Sequence, residues 1–301
     1  MKLLVILIGL CSICLSCQQK ADVSNARYIK DLVETHKLIL PVDENTYYMS
    51  KSMFQFEEDN KEYLYFGNYQ KNQYEILIYD LENHNLYKRI PLLKEGPNGV
   101  PSISGCKPFE DSKTYFLFQH NIGRLSIIND KGELLCRYSV KLPEGQFTHC
   151  DDGWSYFYNP SFCVDSIVYF VHRLNKPQMK THEWKEVSMF TYLKLKSGEV
   201  GPVFLHYPSI FDKDVENPAG GYKFTYDYNY SQNRLVCSFT GYDSLMVSDD
   251  LQNVRWYNGK SRYMKSIRPA LEEASEGVQA LAKLKERGKY HNLMYDRYRD
   301  V

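Results

Sequence analysis

Cys17 is the residue whose chemistry reads most directly from its neighbours. It follows Cys14-Leu15-Ser16, and the chain opens with a positive Met1-Lys2 and an apolar run, Leu3 to Leu15, interrupted by Gly9 and Ser12. A run of that length suits the core of a signal peptide and falls short of the ~20 apolar residues that a spanning helix needs. A small residue just before a cysteine is what a lipoprotein signal peptidase accepts. The pattern predicts cleavage after Ser16 and acylation of the Cys17 thiol. Acyl chains add ~0.8 kcal/mol per buried CH₂, so several on one cysteine hold a body at a membrane without a transmembrane helix. Cys14 stands where Leu or Val is commoner. A plain secretory signal cut nearby, with Cys17 an ordinary thiol, is the alternative.

Four other side chains have types and spacing that suit ligand binding. Asn68, His120, His172 and Arg173 each follow a strand-like run, at comparable places in successive segments. They are hydrogen-bonding or titratable groups expected around one mouth of a repeated fold, with solvated turn residues as the bland alternative. Other constellations carry less. His182-Glu183-Trp184-Lys185-Glu186 lacks the second histidine of a zinc site. Asp151-Asp152 offers too few oxygens for calcium, and Asp249-Asp250 reads as a turn at a strand end. Gly96-Pro97-Asn98-Gly99 has backbone N–H groups that suit an anion, but reads better as a tight turn with glycine at positive φ. No P-loop, dinucleotide or Gly-x-Ser-x-Gly fingerprint is present, so neither a metal nor a cofactor is expected.

Charge narrows the partners. Lys plus Arg and Asp plus Glu number 37 each, without the one-sided basic excess of a nucleic-acid binder. Beyond Cys17 the cysteines are Cys106, Cys136, Cys150, Cys163 and Cys237, an odd number at wide spacing. An exported chain is able to bridge some of them. Most sit in apolar runs such as Leu134-Leu135-Cys136, where cysteine acts as a small buried hydrophobe, and mostly free thiols are expected.

The elements that must position these residues recur. Glu62–Phe66, Tyr74–Asp80 and Leu86–Leu92 form one strand triplet, with a turn expected at Gly67-Asn68. Thr114–Phe118, Leu125–Asp130 and 133–142 form a second. Ser166–Phe170, Ser188–Leu193 and Val200–Tyr207 form a third, and Arg234–Phe239, Ser244–Val247 and Val254–Tyr257 a fourth. Weaker leading strands are expected at Ser52–Phe56, Ser102–Phe109, Phe147–Phe157 and Lys223–Tyr230. Phe66, Phe118 and Phe170 are each 52 residues apart. Four strands per period is the grammar of a propeller blade, whose faces are sheltered only by its neighbours. The 26 tyrosines suit half-buried sheet surface. The fold class is therefore all-β and propeller-like, with about four complete four-stranded blades and an incomplete ring. A β-sandwich is the alternative.

One stretch departs from β grammar. Pro269 opens a run with Leu271, Ala274, Val278, Leu281 and Leu284 at helical spacing, closed by Gly288. It reads as an inserted helix over 269–287. Residues 291–299 look like the leading strand of a further blade, and 37–42 like an outer strand without a blade of its own. The expected organisation is a signal peptide at 1–16, a polar tether at 17–30 and a β domain at 31–301.

Tyr74 to Leu81, Glu95-Gly96-Pro97-Asn98-Gly99-Val100, Asp111-Ser112-Lys113-Thr114-Tyr115 and Tyr295-Asp296-Arg297-Tyr298-Arg299 together resemble a family of Bacteroidota lipoproteins catalogued as a domain of unknown function. That family is akin to the six-bladed, TolB-like propeller lipoproteins. The resemblance implies a propeller and an envelope location, and a chain shorter than other members. It carries over no catalytic residue. The function expected is a non-enzymatic binding or scaffold module, lipid-anchored in the bacterial envelope on the periplasmic or outer surface, that takes a peptide, glycan or protein. The alternatives are a propeller hydrolase or lyase acting on a sugar or lactone, and a truncated remnant without function.

Overall fold

The computed structural model describes residues 38–44, 46, 52–69, 74–109, 113–119, 123–140, 160–171, 188–208, 224–239 and 242–259. The expected signal peptide, tether, helix at 269–287 and strand at 291–299 lie outside them. Among the described residues no helix is long and apolar enough to cross a membrane.

Among the described residues sixteen strands form four separate sheets of four. The first blade is β1 (Met53–Glu58), β2 (Lys61–Tyr69), β3 (Tyr74–Asp80) and β4 (Asn85–Leu92). The second is β5 (Gly105–Pro108), β6 (Thr114–Gln119), β7 (Arg124–Asn129) and β8 (Leu134–Ser139). The third is β9 (Phe162–Val164), β10 (Ile167–Val171), β11 (Phe190–Lys194) and β12 (Val200–Pro202), and the fourth is β13 (Phe224–Asn229), β14 (Arg234–Phe239), β15 (Ser244–Ser248) and β16 (Arg255–Asn258). Every sheet is an antiparallel meander in chain order.

Local sequence explains the corners. Asp59-Asn60 and Asp165-Ser166 each hold two consecutive residues at positive φ. They close β1–β2 and β9–β10 as two-residue hairpins of the kind that matches strand twist. Asp80-Leu81-Glu82-Asn83 and Asp250-Leu251-Gln252-Asn253 share a pattern and a geometry. In each, the Asp carboxylate accepts the backbone N–H groups two and three residues on, and the Asn side-chain amide as well. Those bonds stabilise the ionised form, and the Asn253 amide and backbone pull Asp250 from 3.8 down to about 2. A group depressed in this way adds stability above its unfolded value, and the contribution disappears as pH falls through the folded one. The urea midpoint of Asp250→Ala is expected to sit a constant interval below wild type above pH 4, with the interval closing towards pH 2. An interval independent of pH rules the turn out as its source.

Packing makes the four sheets a propeller. Tyr63, Tyr65, Ile76 and Ile78 of the first blade meet Tyr115, Leu117 and Ile128 of the second in one apolar cluster. Phe116, Phe118, Leu125 and Ile127 meet Val168, Phe170 and Leu193 of the third in another. Phe162, Val171 and Phe190 meet Tyr226, Leu235, Cys237, Phe239 and Met246 of the fourth in a third cluster. The second and third blades thus each bury both faces. That is why third strands such as Leu125-Ser126-Ile127-Ile128 read as continuous rather than alternating runs. Two facing sheets would have produced a single core.

Several expectations need correction. The 52-residue step does not mark one repeated face, because Phe118 and Phe170 meet each other across the second interface, ring centroids 6.3 Å apart. They point in opposite directions from their own blades. The leading strand of the third blade is Phe162–Val164 and not 147–157, which lies outside the described residues. Phe162 is fixed there by stacking on Tyr169 at 4.9 Å and on Tyr228 at 4.6 Å. The regular fourth strand of that blade is Val200–Pro202, and the pairing expected as far as Tyr207 continues irregularly beyond it: the Val203 N–H donates to the Phe190 carbonyl, the Met189 N–H to the Leu205 carbonyl, and Ser188 bridges to His206. Residues 38–42 form no strand. The chain there is tied to the first blade instead, where Asp43 pairs with Arg89 at 2.5 Å.

Candidate functional site

The placed part of the predicted mouth is built into the sheet. Asn68 does not sit in a turn. β2 runs on to Tyr69, and the Gly67 N–H donates to the Ser52 carbonyl at 2.8 Å. A Cβ on Gly67 would stand 2.3 Å from the Tyr69 hydroxyl, so glycine here makes room for a ring folded back over the strand rather than for a bend. Asn68 is fully buried. Its Nδ2 donates to Glu75 Oε1 at 2.6 Å across the β2–β3 pair. Arg89 Nη1 donates to the same oxygen at 2.5 Å, and its Nη2 to Asp43. Glu75 and then Asp43 hold the Arg89 guanidinium above its ordinary pKa.

The second blade has a comparable pair: the Ser126 hydroxyl donates to Gln119 Oε1 at 2.9 Å, between buried side chains. His120, His172 and Arg173 lie outside the described residues, as does Cys17, so Asn68 is the predicted site residue the structure places. The Gly96-Pro97-Asn98-Gly99 loop clasps the neighbouring blade. Gly96 has φ of 84°, Arg137 donates to the carbonyls of Pro97 and Gly99, and Asn98 Oδ1 accepts the Leu134 N–H. Its polar groups are turned to β8 rather than to an anion. Cys106, Cys136, Cys163 and Cys237 are free thiols, and burial pushes the Cys106 thiol up to about 12, which leaves it inert. Among the described residues no cluster of His, Cys, Asp or Glu has the makings of a metal site.

A different set of side chains converges where the first strands of three blades approach one another. Lys107 of β5 donates to the carbonyl of Ser161, just before β9. Its ammonium also stands over the ring of Tyr230, in the turn after β13, 5.8 Å from its centre. The Tyr230 hydroxyl accepts the Cys163 N–H at 3.3 Å, while Tyr230 as a residue remains 52% exposed. Behind it an aromatic ladder runs from Tyr228, edge-on to Tyr230 at 5.0 Å, through Phe162 to Tyr169. A fixed cation and a half-exposed tyrosine beneath it therefore share one place, supplied by the second, third and fourth blades. Such a pairing suits a ligand with an anionic group and an apolar face.

Four-stranded meanders packed face against face around convergent first strands define a β-propeller. Within that class the chain belongs to the DUF4221 family, described as a domain of unknown function, which matches residues 31–301. The chain is 49% identical to a DUF4221 family member from Bacteroides vulgatus with a crystal structure. The match covers 89% of this chain and 74% of that one, with a TM-score of 0.81. A Bacteroides fragilis protein provisionally described as exported is 8% identical over 73% of this chain and 53% of its own, at a TM-score of 0.43. A streptogramin B lyase is 11% identical over 72% and 58%, at 0.38. Likeness at that level adds nothing to the family assignment. No curated protein matches the chain in sequence.

Proposed function

We propose that the protein is a non-enzymatic binding module of the cell envelope, tethered through acylated Cys17 and capturing a peptide, glycan or protein partner at the end of the propeller axis. The observation that carries the binding half is the meeting of Lys107, Ser161 and Tyr230 from three blades, with Tyr230 half exposed. Such convergence depends on the propeller being assembled and places recognition groups on a rigid scaffold, as binding sites require. The anchoring half rests on Leu3 to Cys17 and on the polar stretch that follows. The proposed domain at 31–301 has the span of the family match, and the signal peptide at 1–16 and tether at 17–30 rest on the sequence before it.

Two measurements test the halves separately. Growth with a clickable fatty acid is expected to label the wild-type protein and to leave Cys17→Ser unlabelled; equal labelling removes the anchor from Cys17. A thermal-shift screen of the full-length chain against peptides and oligosaccharides is expected to give a saturable rise in Tm. Turnover of any screened compound by the protein would replace binding with catalysis.

A further inference from the structure

Residues 38–46 lead into the first blade and are fixed to it by polar groups. Asp43 accepts from Arg89 Nη2 at 2.5 Å, and the Thr46 hydroxyl donates to Asp43 Oδ1 at 2.8 Å. Both Asp43 and Thr46 stand beside the Tyr79 hydroxyl. Strand alternation sets Tyr79 on the face opposite Ile76 and Ile78, turned away from the second blade. The apolar residues of the segment are not tucked against the blade in the same way. Leu38, Ile39 and Val42 are 47%, 79% and 63% exposed. A single exposed aliphatic side chain is ordinary, but three large ones within five residues form a patch. Leu86, paired with Tyr79 across β3 and β4, adds another exposed aliphatic side chain on that face.

We infer, resting on the acylated Cys17 proposed above, that Leu38, Ile39 and Val42 lie in the interface of the anchoring bilayer as a second point of contact with it. Only the residues from Cys17 to Leu38 separate the patch from the anchor, a reach of at most ~70 Å however that stretch is folded. Acyl chains inserted at one end therefore keep the patch close to lipid, and the second contact forms within one molecule rather than between two. Under that condition a small apolar patch suffices. A second copy of the chain fits less well, because three aliphatic side chains fall short of the ~800 Å² that each partner buries in a stable dimer. A bilayer interface asks for no matching shape. The Asp43–Arg89 pair carries the contact into β4, so the first blade is the one set against the membrane.

The test uses the full-length chain, purified from its host membrane and reconstituted in vesicles of phosphatidylethanolamine and phosphatidylglycerol, with plain or brominated tails. Bromine on the tails quenches a tryptophan that enters the bilayer. Ile39→Trp puts at the patch a ring suited to that interface, and at least about half of the emission it adds to that of Trp154, Trp184 and Trp256 is expected to be lost in brominated vesicles. Phe204→Trp, at a residue 75% exposed beyond the third blade's last strand, is expected to keep the emission it adds. Quenching of Ile39→Trp no greater than that of Phe204→Trp overturns the contact. So does emission from Ile39→Trp that is shielded from aqueous iodide but untouched by brominated tails, which assigns the segment to a protein surface. Flotation separates this inference from the anchor beneath it. Wild type is expected to float with the vesicles and Cys17→Ser to stay behind. If that holds while Ile39→Trp goes unquenched, the anchor stands and the bilayer contact falls. If Cys17→Ser floats as wild type does, both fall.

Discussion

Phe170→Ala is expected to lower the stability of the chain by about 3–5 kcal/mol, read as a fall in the urea midpoint at unchanged slope. Phe170 is fully buried in the cluster joining the second and third blades, where its ring meets Phe118 at 6.3 Å, with Val168 and Leu193 on its own blade. Truncation leaves a cavity between two sheets whose third strands are fixed on both sides, so neighbours collapse into it only partly. Phe118→Ala is expected to cost a similar amount. The double variant should cost less than the sum, by ~0.5–1.5 kcal/mol, because each ring is the other's partner. Phe66→Ala serves as the control. It lies at the same 52-residue step but is only half buried and belongs to none of the three clusters, and its cost should be less than half that of Phe170→Ala. Equal costs for all three phenylalanines would restore the spacing as a true structural repeat.

Those three residues show where the sequence informs and where it misleads. The blades were legible because a strand sheltered on both faces must be apolar without interruption. Tyr74–Asp80 and Leu125–Asn129 were found in place for that reason. The phenylalanine interval was not evidence of the same kind. A step of 52 is even, but bulges between Ile78 and Tyr79 and between Ile127 and Ile128, with loops of different length, break the parity that alternation needs. A sounder repeat was present in Asp80-Leu81-Glu82-Asn83 and Asp250-Leu251-Gln252-Asn253, whose side chains make the same bonds. Strand β9 was out of reach. Three residues show no period, and what selects Phe162–Val164 is stacking against Tyr228, a residue of another blade.

The candidate site was less legible than the fold. Lys107 lies in the leading strand expected at Ser102–Phe109, which the structure has as Gly105–Pro108, and Tyr230 lies at the end of the one expected at Lys223–Tyr230, in a polar turn after β13. Neither belongs to a motif. Their proximity follows from first strands meeting at the axis, so it appears only after blade order and register are known. Asn68 illustrates the opposite error. Gly-Asn is a strong turn signal, but here the glycine accommodates the Tyr69 ring and the strand continues beneath it. Gly201 repeats the device opposite Tyr192, whose hydroxyl would stand 2.6 Å from a Cβ. Glycine paired with a nearby tyrosine in a strand is therefore, in this fold, a sign of close ring cover.

Glu75→Ala is expected to cost about 3 kcal/mol, at the lower end of the ~3–5 kcal/mol seen when one member of a buried ion pair is removed. The Glu75 side chain is 1% exposed and that of Arg89 31%. Arg89 keeps Asp43 and some water, and this holds the cost down, while Asn68 loses the acceptor at 2.6 Å that its amide now has. Glu75→Gln retains an oxygen for one donor and should cost about half as much, in the ~1–2 kcal/mol range of a weakened buried hydrogen bond. Asn68→Asp is the more revealing change. It sets a carboxylate beside Glu75 in a buried place, where two like charges resist joint ionisation and one carboxyl pKa rises. The variant should therefore be most destabilised at neutral pH and recover part of its loss as pH falls and one carboxyl takes a proton. These variants also decide what Asn68 is for. A ligand-facing amide could be replaced by Ala with stability intact and only the ligand-induced Tm shift lost. A strut between β2 and β3 would lose ~1–2 kcal/mol whether or not ligand is present, and the burial of Asn68 against Glu75 requires the second result.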